Sequence, residues 1–269
     1  MTSSDPFERH GIDHLSPSSL RLWRDAPAVW IGKYLLRAPD EVGPGAWRGK
    51  AVEAGVDQLL YGQQAGAAAD AMRRQWDLDA QGVVEPDALK EYEALGDFLL
   101  QARIAFDKHP IPLQRQARIT LTIPGISVPL IGYADWLWLD HGTDLKTTWR
   151  MPGQPDPAHV EQVSCYSMFH GVPFSLTYVT PKKWTRYEIT SVMASEAYDR
   201  VVEGANAIRS MLAHVDSAHD ALSMFSPDYS SYYFRPAMAE AVRNAKAQTL
   251  VPSERTHRPL QAVEPTHGQ

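Results

Sequence analysis

A single cysteine, Cys165, stands in 269 residues. It excludes an internal disulfide and a four-thiolate metal site, and a reducing cytoplasm is the expected compartment. No apolar run approaches the length of a membrane span, and the opening MTSSDPFERHG is too polar for a signal peptide, so no membrane partner is expected. A Walker A loop, an H-E-x-x-H helix and a G-x-S-x-G elbow are all missing, which sets aside a helicase motor, a zinc peptidase and a serine hydrolase. Positive charge is short as well. A net charge of −6 counts against coating nucleic acid by bulk electrostatics, although a local basic groove can still hold phosphates.

What is present is apolar mass: 44% hydrophobic residues with eight tryptophans, ample for the core of one globular domain. That domain is expected over 1–248, with the polar, proline-bearing stretch 249–269 as a disordered tail. The most informative stretch is PLIGYADWLWLDHGTDLKTTWRMPGQPDPAHVEQVSCY, residues 129–166. Residues 130–139 and 143–148 read as strands joined by the turn His141-Gly142. An amphipathic helix then opens at Asp156-Pro157 and stops at Gly171.

Strand geometry puts Asp144 and Lys146 on one face while Leu145 points the other way, into a core. Asp135 lies on the neighbouring antiparallel strand, so two carboxylates can meet with an ammonium one pleat further on. Gln162 and Tyr166, four apart, share a helix face. Paired carboxylates offer hard oxygens to Mg²⁺ or Mn²⁺, which keep open positions for water and phosphate. A lysine beside such an ion can orient or deprotonate the attacking water and balance charge on the phosphate. This layout suits metal-assisted phosphodiester hydrolysis.

G-Y-A-D, D-L-K-T and Q-V-S-C-Y together resemble the G-x-x-D, (D/E)-x-K-T and Q-x-x-x-Y motifs of the PD-(D/E)XK nuclease superfamily. Within it they resemble the RecB-like branch of phage-type and CRISPR-associated exonucleases. The resemblance implies a restriction-endonuclease-like αβββαβ core, an α/β fold with a central mixed sheet flanked by helices. It also implies DNA as substrate, duplex ends as the point of attack and a single-strand annealing or recombination protein as partner. If phage-encoded, the chain would work in a bacterial host's cytoplasm. By position, Asp135 and Asp144 would bind the metal with the Leu145 carbonyl as a further ligand. Lys146 would act on the water, and Gln162 and Tyr166 would orient Lys146 or substrate. An endonuclease of the same superfamily, or an inactive DNA-binding relative, are the alternatives.

The helix expected over 47–60 carries Glu53 beside the apolar stripe of Val52, Val56, Leu59 and Leu60. A carboxylate facing a core needs a partner, either a metal or its neighbours Lys50 and Arg48. G-K-A-V-E falls where RecB-like enzymes have G-x-x-x-H, with Glu53 in place of the metal-binding histidine. Upstream, L-S-P-S-S-L-x-x-W-x-x-x-P reads as a helix start with Ser16 as N-cap, after a polar lead-in at 1–14. It also resembles the N-terminal segment of RecB-like nucleases, whose iron–sulfur members have a cysteine where Ala26 stands, so no iron–sulfur cluster is expected. Residues 66–108 read as a helical insertion of two helices covering one side of the site. Strands follow at 114–123, 174–180 and 184–190, and a helix at 194–214. Lys182, Lys183 and Arg186 form one basic patch, read either as a solvated turn or as a phosphate contact. His141, His159 and His170 are scattered and are expected to be satisfied or on the surface.

Overall fold

The computed structural model describes residues 5–250. Helices α1 (Pro6–Arg9), α2 (Pro17–Asp25), α3 (Pro27–Tyr34) and α4 (Pro44–Leu60) come first. Each begins with proline, whose fixed φ and missing N–H suit a first turn. Ser16 caps α2 with a reciprocal box to Ser19. The lead-in expected to be merely polar is anchored: Phe7 is fully buried, and Arg9 Nη2 donates to the Leu212 carbonyl.

Next come α5 (Ala65–Ala80), α6 (Pro86–Glu93) and α7 (Leu95–Phe106), so the stretch expected as two helices is three, broken again at Ala94. Strands β1 (Gln114–Leu121), β2 (Leu130–Leu137) and β3 (Gly142–Thr147) precede α8 (Pro157–His170). Strands β4 (Phe174–Val179) and β5 (Trp184–Glu188) and helices α9 (Ser191–His214), α10 (Ala218–Ser223) and α11 (Pro236–Leu250) complete the order. Helix α11 runs two residues into the expected tail, whose remainder lies outside the described residues. No helix among the described residues is long and apolar enough to cross a membrane.

The fold is α/β, a five-stranded mixed sheet in the order β1-β2-β3-β4-β5 with helices on both faces. Only β3 and β4 are parallel, because a parallel neighbour needs a crossover and α8 supplies it. Strand β4 is buried along its whole length, as a strand covered on both faces must be. On one face, α2, α3, α8, α9 and α11 build a core around Trp30, Tyr166, Phe174 and Ile208. On the other, α4 to α7 build a second core around Trp76, Phe98, Trp136 and Leu145. The helices of 66–108 therefore form a core with α4 and the sheet.

Candidate active site

Alternation on β3 places Asp144 and Lys146 towards α8 and Leu145 into the second core, as the two-residue period requires. Lys146 Nζ lies 2.6 Å from Asp144 Oδ2. This contact is an ion pair, and Asp144 Oδ1 is left without a partner. Lys146 Nζ also donates to Gln162 Oε1 at 2.8 Å, and Gln162 Nε2 donates to Tyr166 Oη at 2.6 Å. All four motif residues from the strand and the helix thus form one connected chain.

Gly132 explains how Tyr166 gets there. A Cβ at that position would lie 2.9 Å from Tyr166 Cε1, so the bare backbone admits the ring against β2. Burial pushes the Tyr166 hydroxyl well above its ordinary pKa, so it stays a neutral partner for the amide. Burial works to lower the Lys146 pKa, but Asp144, Asp135 and Glu53 outweigh it and hold the value above the ordinary one. Lys146 is therefore an ammonium, not a free base.

Asp135 sits where β2 and β3 part. They pair only at Trp136↔Thr143 and Leu137↔Gly142, and beyond that Asp135 Oδ2 accepts the Leu145 N–H at 2.7 Å. A side chain here does the work of a ladder carbonyl. Burial first, then Asp144 and Glu53, push the Asp135 pKa well above the usual carboxylate value. On β2 three successive side chains are buried: Ala134 in the first core, Asp135 at the site and Trp136 in the second core. Alternation forbids Ala134 and Trp136, two apart, from facing opposite cores, so the strand must shift phase at Asp135. The partner strand shifts at the same level. Arg115↔Trp136 and Ala117↔Ala134 pair, while Gln116 between them has φ 46. A left-handed backbone costs an L-residue roughly 1–2 kcal/mol.

Gln116 was invisible to the sequence reading, and it joins the site. Its Nε2 donates to Glu53 Oε1 at 2.5 Å and to Asp135 Oδ1 at 3.3 Å. Glu53 does not pair with its helical neighbours: Lys50 meets Asp79, and Arg48 meets Glu91 and Thr147. Burial, then Asp57, then Asp144 push the Glu53 pKa up to about 7, against the pull of Gln116 and Lys146. Asp57 is the second residue missed. It lies one turn beyond Glu53 and accepts from Trp136 Nε1 at 2.7 Å and from Arg115 at 3.1 Å. Its spacing of four from Glu53 was a usable signal.

Among the described residues, no three His, Cys, Asp or Glu side chains stand as a ready-made metal cage. The donors explain this: Lys146 meets Asp144, and Gln116 joins Glu53 to Asp135. The donor chemistry nonetheless fits a hard divalent ion, because Asp144 is 1% exposed, its Oδ1 has no partner and its Oδ2 is met by the Lys146 ammonium alone. The structure shows the Leu145 N–H, not its carbonyl, engaged with Asp135.

The basic patch is divided. Arg186 turns to Thr177, His109 and the Ala105 carbonyl under α7. Lys182 and Lys183 instead line a cavity of about 560 Å³ with Trp149 and Arg150. That cavity lies just past the carboxyl ends of β3 and β4, the usual place for a ligand beside parallel strands. His141 stacks on Trp138, and His159 Nδ1 meets Tyr178 Oη at 2.7 Å. Cys165 is buried, and its burial pushes the thiol up to about 12.

No protein-family model and no curated protein matches this chain. A solved structure of a protein designated SSO0001 is similar over 58% of this chain and 74% of that one, at 16% identity and a TM-score of 0.29. So distant a likeness carries nothing about the chemistry of this site.

Proposed function

We propose that this chain is a metal-dependent deoxyribonuclease of the PD-(D/E)XK type, a RecB-like exonuclease acting on DNA ends. The single observation that carries the reading is the connected set Asp144–Lys146–Gln162–Tyr166 on β3 and α8, with Asp135 on the adjoining strand. The order α4, β1, β2, β3, α8, β4 supports a restriction-endonuclease-like core.

Glu53, Asp135 and Asp144, with the Leu145 carbonyl, would hold Mg²⁺ or Mn²⁺. When bound there, such an ion supplies positive charge against the phosphate and a water of lowered pKa. Lys146, kept protonated by its acidic neighbours, stabilises negative charge as it develops on the phosphate. Gln162 fixes the Lys146 ammonium, and Tyr166 fixes Gln162, so the charge stays in place as the substrate reacts. Arg150, Lys182 and Lys183 offer phosphate contacts along the adjoining cavity, and half-exposed Trp149 offers a stacking surface. An annealing or recombination protein is the proposed partner, and no iron–sulfur cluster takes part.

The test digests linear and covalently closed circular DNA side by side, with Mg²⁺, Mn²⁺ and chelator arms. Loss of the linear DNA alone, and only with an ion, is expected. Cleavage of circles would mark an endonuclease. Full activity in chelator would remove the mechanism, and DNA binding with no cleavage under any ion would mark a binding protein.

A further inference from the structure

We infer that Gln116 is a gate on cation entry, its carboxamide filling the place between Glu53 and Asp135 that a divalent cation must take. The inference rests on the metal site proposed above and assigns the residue that controls its filling. One NH₂ group reaches both carboxylates, at 2.5 Å to Glu53 Oε1 and 3.3 Å to Asp135 Oδ1. An amide N–H cannot ligate a cation, so this group must leave those oxygens before an ion bridges them. Asp144, buried on the strand beside Asp135, has Oδ1 without a partner and only Lys146 at Oδ2, so a further carboxylate oxygen of the site is short of a ligand.

The backbone indicates that the arrangement is imposed. Gln116 is a non-glycine residue held at φ 46 inside a strand, a state that persists only where the surroundings determine it. The flanking pairs Arg115↔Trp136 and Ala117↔Ala134 set it level with Asp135, within reach of both carboxylates. The side chain also has somewhere to go. Strand β1 is an edge of the sheet and Gln116 is exposed, so it can swing into solvent without disturbing either core. With the gate closed, only the fraction of molecules with Gln116 displaced binds an ion, so the apparent affinity is below that of the bare carboxylates.

Calorimetric titration of Mn²⁺ and Ca²⁺ into metal-free wild type, Gln116→Gly and Gln116→Asn tests this. Glycine removes the side chain and tolerates the left-handed backbone. Asparagine tolerates that backbone too but is one methylene short of both carboxylates. Both variants are expected to bind Mn²⁺ about fivefold or more tightly than wild type, the loss of one hydrogen bond to charged groups being of that order or larger. Equal affinity in wild type and variants would overturn the gate and leave the metal site standing. Weaker binding in both would overturn it too, making Gln116 a ligand through Oε1. No ion bound by any of the three, wild type included, would remove the metal site and the gate together.

Discussion

The two halves of the site are built on opposite plans. Towards α8, Lys146, Gln162 and Tyr166 are joined by bonds of 2.8 and 2.6 Å, and Tyr166 is only 1% exposed against the first core. Towards α4, half-buried Glu53 is met by Gln116 reaching in from an exposed edge strand. The first half is held by packing, where rotamers are fixed by dense neighbours. The second is held by long polar side chains that can change partner at small cost. A group that must keep station against a phosphate belongs in the first, and groups that must admit and release an ion belong in the second.

The largest break in the comparison comes from the packed half. Lys146→Ala is expected to cut single-turnover cleavage by about a hundredfold or more, with calcium-supported DNA affinity changed far less. It also leaves Asp144 buried without its counter-charge, at about 3 kcal/mol or more, so melts and circular dichroism must accompany the kinetics. Asp144→Asn should lose cleavage through loss of ion binding instead. Unchanged cleavage in Lys146→Ala would end the nuclease assignment.

Glu53→Ala tests the open half. Ion affinity should fall by about ten- to a hundredfold, a range that even outer-shell partners of a metal reach. Little folding stability should be lost, since no core volume is removed, and Glu53→His should recover part of the binding. Near-normal ion affinity in Glu53→Ala would leave only Asp135 and Asp144 as side-chain ligands.

Two milder changes probe the link between the motifs. Gly132→Ala places a methyl against the Tyr166 ring, at about 1–3 kcal/mol of overpacking. Tyr166→Phe removes the acceptor of Gln162 Nε2 at about 1 kcal/mol. Both should lower turnover several-fold with KM for DNA held. A change in KM alone would place Gln162 and Tyr166 on the substrate rather than on Lys146.

The smallest effect is a slope. The folded-state pKa of Glu53 is raised to about 7 from an ordinary 4.5. Its contribution is fully present below pH 4.5, where both states hold the proton, and is lost as pH rises towards 7, because the unfolded chain ionises first. Melting temperature in chelator should therefore fall across that window, and Glu53→Gln should flatten the fall. An equal slope in both proteins would assign it to other groups.

The packed half was legible because its residues obey short-range periods. Asp144 and Lys146 are two apart on a strand, and Gln162 and Tyr166 four apart on a helix. Helix α8 was equally clear, since Asp156 caps it and Gly171, at φ 70, ends it. The open half hid for the opposite reason. Gln116 reaches the site only because its backbone is left-handed, and nothing in RQARITLTI announces a break in alternation. Phe7 was hidden too, since one aromatic ring in a polar segment can anchor a four-residue helix that no periodicity could mark. Likewise α11 was missed, yet it packs on α3 closely enough that a Cβ at Gly32 would meet the Met238 sulfur at 2.5 Å.

The paired shift at Gln116 and Asp135 behaves like a dislocation in a crystal, where the pattern on one side is half a period out of step with the other. Two such faults, one per strand, cancel only when they lie side by side, and the pairs Arg115↔Trp136 and Ala117↔Ala134 show that they do. A residue gained or lost on one strand between the fault and the turn would slide the faults apart. Gln116 would then no longer face Asp135, and the pairings that keep Trp136 in the second core and Ala134 in the first would break. Length changes in this hairpin are tolerated only in matched pairs, one on each strand. The site, rather than the turn at Pro124-Gly125, fixes the register of the hairpin.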